Sequence, residues 1–148
     1  MSETRLVLDT NVIISAVLKP NGNEAWVVRY ALQPPAALFV TDAILAEYAE
    51  VLARPKFKFG RDLVQKFLAD LSAVAHRVEP TPGIAFCVKD PDDNAFVACA
   101  DAASATYLVT GNIGDYPASM WKGTRILKAG DLRASLGAAN DPGGALSN

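Results

Sequence analysis

Short apolar runs that alternate with helical segments along this 148-residue chain predict an α/β domain built on a mainly parallel sheet. Handedness rules then set helices on both faces of that sheet. Two further observations support the class. Half of the residues are hydrophobic (51%), too many for a disordered chain. The length suits one domain, and a domain of this size buries roughly 70% of its unfolded surface, enough for one core without cross-links.

The elements follow in order. Residues 5–9 read as a short buried strand, because Leu6-Val7-Leu8 is apolar and ends in Asp9. Residues 24–32 (EAWVVRYAL) read as a helix stopped by Pro34-Pro35. Residues 37–40 make a second strand, and Thr41-Asp42 offers the N-cap of a helix over 43–53 that ends before Pro55. Leu63, Val64, Phe67, Leu68 and Leu71 recur at helical spacing, giving a helix over 61–74. Pro80, Pro82 and Gly83 break the chain. A helix over 92–103 leads into a strand at 107–109, and a last strand at 125–127 precedes a short helix over 131–136. The domain therefore spans 1–136, and the small residues and turn formers of 137–148 (GAANDPGGALSN) are expected to fray.

Several function classes fall away. No run is long and apolar enough to span a membrane, and no basic region followed by an apolar stretch marks a secretion signal. Cys87 and Cys99 lack metal-ligand spacing and read as small buried hydrophobes, so a reduced, cytoplasmic chain is expected. The net charge of −2 does not announce nucleic acid. Positive charge is nonetheless uneven. Arg54, Lys56, Lys58 and Arg61 fall within eight residues, interleaved with Phe57 and Phe59. Such a patch suits a phosphate backbone and a stacked base, or equally a solvated loop anchored by its two phenylalanines.

Carboxylates gather where a parallel sheet builds its site, outside the carboxyl ends of strands. Asp9 ends the first strand between two apolar runs, where an unpaired charge is costly to bury. On the helix over 43–53, Glu47 flanks the apolar face of Ile44, Tyr48 and Val51, whereas Glu50 points away and pairs with Arg54. Asp90, Asp92 and Asp93 crowd one helix start, where a helix N-terminus relieves only about 0.3–1 kcal/mol per charge. One of them, Asp90 or Asp92, reads as the cap and Asp93 as a ligand. After the strand at 107–109 comes a polar loop with Thr110, Asn112 and Asp115. Hard cations such as Mg²⁺ or Mn²⁺ take oxygen ligands, and without one the repulsion of such a cluster returns a proton to it.

VLDTNVIISA at the start, Glu47 followed by VLARPKF, DPDDNAFVACA at 90–100 and YLVTGNIGDYP at 107–117 resemble, in that order, the PIN-domain proteins. The likeness covers about residues 5–136 and is closest to the branch of toxin components of toxin–antitoxin modules. The resemblance implies a three-layer α/β/α sandwich and metal-dependent ribonuclease activity. Its acidic positions fall on Asp9, Glu47 and Asp93, and its polar positions on Thr10, Asn11 and Thr110. Many members have an aspartate where this chain has Asn112, while others have asparagine there and an aspartate three residues on, here Asp115. Asp115 is therefore the fourth expected carboxylate. The reaction implied is hydrolysis of an RNA phosphodiester by metal-activated water, with Mg²⁺ or Mn²⁺ as cofactor. Arg54, Lys56 and Lys58 would guide the RNA. A homodimer and a small protein antitoxin follow by the same resemblance. Two alternatives stand beside it: a degenerate RNA- or protein-binding module, suggested by Asn112, and phosphotransfer through an aspartyl phosphate on Asp9, disfavoured by Asn11 two positions on.

Overall fold

The structure is a computed structural model that describes residues 3–137. Six strands form one sheet in the order β3-β2-β1-β4-β6-β5. These are β1 Thr4–Leu8, β2 Ala36–Val40, β3 His76–Arg77, β4 Tyr107–Val109, β5 Met120–Trp121 and β6 Thr124–Leu127. All pairings are parallel except the short β5–β6 hairpin at one edge. The helices are α1 Thr10–Leu18, α2 Asn23–Ala31, α3 Asp42–Leu52, α4 Arg61–Val74, α5 Asn94–Ala103 and α6 Ala129–Leu136. Among these described residues, no helix is long and apolar enough to cross a membrane. The tail expectation for 137–148 falls, from residue 138 on, outside the described residues.

β1 lies at the centre, with β2 on one side and β4 on the other. Its last three residues, Leu6, Val7 and Leu8, are fully buried, as a strand covered on both faces requires. Helices α1, α2 and α6 contact one another, while α5 packs against β1, β2 and β4. The chain leaves β1 toward β2 and β3, then returns past them to β4. The right-handed rule for such crossovers sets α5 on the face opposite α1 and α2, so the architecture is a sheet sandwiched by helices. The reversal of direction between β1 and β4 opens a crevice at their carboxyl ends, the switch point at which such sheets build sites.

The strands at 107–109 and 125–127 and the helices before Pro34-Pro35 and at 61–74 lie within a few residues of their sequence-predicted positions. Three features do not. Helix α1 was not expected, since Val12-Ile13-Ile14 is β-branched and apolar without a polar stripe. The helix forms because it is walled in: Val12, Ile13, Ile14 and Ala16 are all buried. Strands β3 and β5 have no counterpart among the expected elements either; in β3, His76 stacks on Phe39 with ring centroids 5.1 Å apart. Trp26 and Val27 of α2 are 1% and 0% exposed and belong to the core.

Two contacts fix α3 against the switch point. Thr41 caps it, its hydroxyl accepting from the Ile44 N–H at 3.1 Å. Fully buried Tyr48 donates its hydroxyl to the carbonyl of Leu8, the last residue of β1. Removing that hydroxyl leaves the carbonyl without this donor. Tyr48→Phe is expected to cost about 1–2 kcal/mol of stability, read as a lower urea midpoint at unchanged m-value.

Candidate metal centre

Asp9 leaves β1 with its N–H on the Val109 carbonyl at 2.9 Å, and its own carbonyl accepts from Val12 as α1 begins. The side chain is 4% exposed. Its Oδ2 accepts from the Thr110 hydroxyl at 2.8 Å and from the Tyr116 hydroxyl at 3.2 Å. Burial pushes the Asp9 carboxyl up; the Thr110 and Tyr116 hydroxyls and the Thr10 N–H hold it down, and the charge of Glu47 adds to the upward push. Thr110 is itself fully buried, with its N–H on the Leu127 carbonyl at 3.0 Å. Its oxygen also accepts from the Asn112 N–H at 3.0 Å.

Asn11 ties the loop after β4 to the start of α1. Its Oδ1 accepts from the Gly111 N–H at 2.7 Å, and its Nδ2 faces the Thr110 oxygen at 3.5 Å. A Cβ on residue 111 would lie 3.1 Å from that same Oδ1, so the approach favours glycine. Thr10 points the other way and donates its hydroxyl to Glu47 Oε2 on α3. Glu47 is half-buried, as its place on the flank of the apolar face requires.

The remaining carboxylates stand on two short 3₁₀ turns, Pro91–Asp93 before α5 and Ile113–Asp115 after β4. Asp90 caps the first turn, accepting from the Asp92 N–H at 3.2 Å. The Asn94 side chain fixes that turn to the preceding segment, bonding the Cys87 N–H at 2.7 Å and the Cys87 carbonyl at 3.3 Å. Lys89 reaches the Gly114 carbonyl at 3.3 Å and so links the two turns. Carboxylate oxygens of Asp90, Asp93 and Asp115 thereby come within 4.8 Å of one another. Asp93 is 9% exposed, Asp115 half-buried and Asp90 exposed. Burial, reinforced by the charges of Asp9, Asp90, Asp115 and Glu47, raises the Asp93 carboxyl to about 7.

The crevice thus brings together Asp9, Thr10, Asn11, Glu47, Asp93, Thr110 and Asp115 from the sequence-predicted set. Asn112 is exposed and contributes its backbone N–H. Arg54, Lys56 and Lys58 stay apart: they are exposed beyond the end of α3, and Arg54 pairs with Glu50 at 2.9 Å. Two participants were not legible in advance. Of the two residues offered as the cap, Asp90 and Asp92, Asp90 is the one, and its carboxylate also joins the cluster. Tyr116 lies within the last quoted motif but was given no role there, and its bond to Asp9 spans 107 residues.

Among the described residues none of these five carboxylates forms an ion pair. Two like charges about 5 Å apart repel by roughly 3 kcal/mol at the effective dielectric of a protein surface. A helix terminus supplies a fraction of that. An all-oxygen donor set with uncompensated negative charge fits a hard divalent cation. A doubly wound α/β domain whose switch point gathers such a set is, by class, built to carry one.

The comparison with known proteins agrees. Residues 5–114 match the PIN domain family, and the chain belongs to it. Members of that family are generally metal-dependent nucleases. The chain is also similar to an uncharacterized protein of Methanocaldococcus jannaschii, 28% identical over 111 residues that cover 73% of this chain and 70% of that one.

The raised Asp93 pKa has a consequence for stability. Below about pH 4 Asp93 is protonated in both folded and unfolded chains; between there and about 7 only the folded chain holds the proton. The metal-free protein therefore loses stability as pH rises from about 4 to about 7, and levels off above. In EDTA, the melting temperature of the wild type is expected to fall relative to Asp93→Asn across that window, and Mg²⁺ or Mn²⁺ at pH 8 to restore it in the wild type alone.

Proposed function

We propose that this protein is an endoribonuclease that hydrolyses RNA phosphodiesters with the help of Mg²⁺ or Mn²⁺. The observation that carries the reading is the convergence of the Asp90, Asp93 and Asp115 carboxylates beside buried Asp9 at the switch point. Asp9, Glu47, Asp93 and Asp115 are the proposed catalytic and ligand set, with Asp90 added to it. When bound, the ion supplies Lewis acidity, acidifying water and offsetting charge that develops on the phosphate and the leaving oxygen.

The chain's own residues do the rest. Thr110 and Tyr116 hold Asp9 Oδ2 in one orientation, and Thr10 holds Glu47. Asn11 keeps the loop after β4 closed on α1, which fixes where Asp115 stands. Burial and the neighbouring acids raise the Asp93 carboxyl to about 7, so a cation bound among them would displace a proton there. No histidine takes part; His76 lies on the far edge strand.

Asn112 motivates the alternative of a non-catalytic binding module. The position of Asp115 against Asp90 and Asp93 favours the enzyme, because the charge that Asn112 lacks is supplied three residues later. The finer parts of the reading rest on the resemblance of the motif order. They are the toxin role in a toxin–antitoxin pair, silencing by a small protein antitoxin and a homodimer; the cytoplasmic setting rests instead on the two free cysteines, Cys87 and Cys99.

The test is cleavage of end-labelled single-stranded RNA in Mg²⁺ or Mn²⁺. Cleavage is expected to vanish in EDTA and in Asp9→Asn. Thr110→Val, which removes a positioning hydroxyl without touching the ligand set, is expected to lower activity or metal affinity about 10–100-fold. Metal binding with no cleavage of any RNA offered would favour the binding module.

A further inference from the structure

The turn between α3 and α4 lies outside the carboxylate centre and has chemistry of its own. Arg54, Lys56, Lys58 and Arg61 stand there within eight residues, in a chain of net charge −2. Arg54 is paired with Glu50, but Lys56, Lys58 and Arg61 form no ion pair among the described residues. All three are exposed. Uncompensated cations on one turn of an acidic protein complement a polyanion. Between them Phe57 and Phe59 stack with centroids 5.5 Å apart and planes inclined by 9°. Lys56 Nζ stands 5.0 Å from the Phe57 centroid. Phe59, backed by this stack, lines a groove of about 340 Å³ between α3 and α4. Leu52 and Leu68 contribute apolar wall, and Arg61 and Gln65 are its polar members.

We propose that this groove receives one unstacked nucleobase of the bound RNA. The base stacks against Phe59, the Gln65 amide meets its edge, and Lys58 and Arg61 take the flanking phosphates. An aromatic wall serves any base, since every base has a π-face, whereas an amide carries both donor and acceptor and adds preference among them. A protein helix laid in the same groove would use its apolar wall but leave the three cations unmatched. Ala53, on the groove, is six residues along α3 from Glu47, roughly 9 Å of helix axis. One strand can therefore reach both the groove and the carboxylate centre around the end of α3. The assignment rests on the ribonuclease reading for the nature of the polymer.

The experiment measures anisotropy of labelled single-stranded RNA with the full chain in EDTA, so that no RNA is cut. Phe59→Leu and exposed Gln65→Ala are compared with wild type, on intact RNA and on RNAs carrying one abasic position in turn. Phe59→Leu is expected to weaken binding about tenfold. One abasic position should weaken wild-type binding by a similar factor and Phe59→Leu binding hardly at all, a non-additivity that general unfolding does not produce. Gln65→Ala should change the ranking of bases at that position. Affinity indifferent to both substitutions and to every abasic position, or no RNA binding at all, overturns the proposal and leaves the groove to a protein partner. Parallel incubations in Mn²⁺ separate the two readings: groove-dependent binding in a chain that never cuts RNA keeps the groove and removes the nuclease.

Discussion

A buried carboxylate at the end of the central strand is the constraint on which the rest of this structure depends. Asp9 follows three fully buried residues and is itself almost wholly covered. An ionised carboxylate in such a place is tolerable only with donors or a cation close by. Two hydroxyls, from Thr110 and Tyr116, meet one of its oxygens. Both arrive from the segment after β4, the strand hydrogen-bonded to β1, so sheet topology brings the donors and the acid together.

The same topology explains why the other acids gather. Parallel strands end on one side, and the reversal between β1 and β4 leaves a gap there that no crossover covers. The two 3₁₀ turns project Asp93 and Asp115 into that gap, with Lys89 and Asn94 bracing the backbone behind them. These braces bond to backbone groups and leave the carboxylates without ion-pair partners. A stability device would have been built the other way, with a guanidinium among the acids. Repulsion that the fold leaves unbalanced is instead what a bound divalent cation would relieve.

How much of this was legible in the sequence depended on whether a feature is local. The strands before Asp9 and Thr110 were legible because fully buried parallel strands are short apolar runs that stop at polar residues. Glu47 was placed by helical geometry alone, and it does lie on the flank of α3, against Thr10. Helix α1 was not legible, because its central run is buried, it carries too few polar residues to mark a stripe, and its β-branched residues argue against a helix. The two-residue strands β3 and β5 exist through pairing with neighbours, not through any pattern of their own. In the centre, Tyr116 was invisible because its partner lies at the other end of the chain, and Asp90 was hidden because it was offered, with Asp92, only as a cap. The family resemblance supplied the ordered set of acids; the fold adds the residues that hold them.

The unpaired carboxylates at the switch point call for a divalent cation among them. Anomalous diffraction from crystals of the protein soaked in Mn²⁺ tests this most directly. One dominant peak is expected within ligand distance of Asp93 and Asp115, with Asp90 or Asp9 completing the oxygen shell, and it should be lost in crystals of Asp93→Asn. Mn²⁺ bound elsewhere, or absent at millimolar concentration while the carboxylates swing apart into solvent, would contradict this.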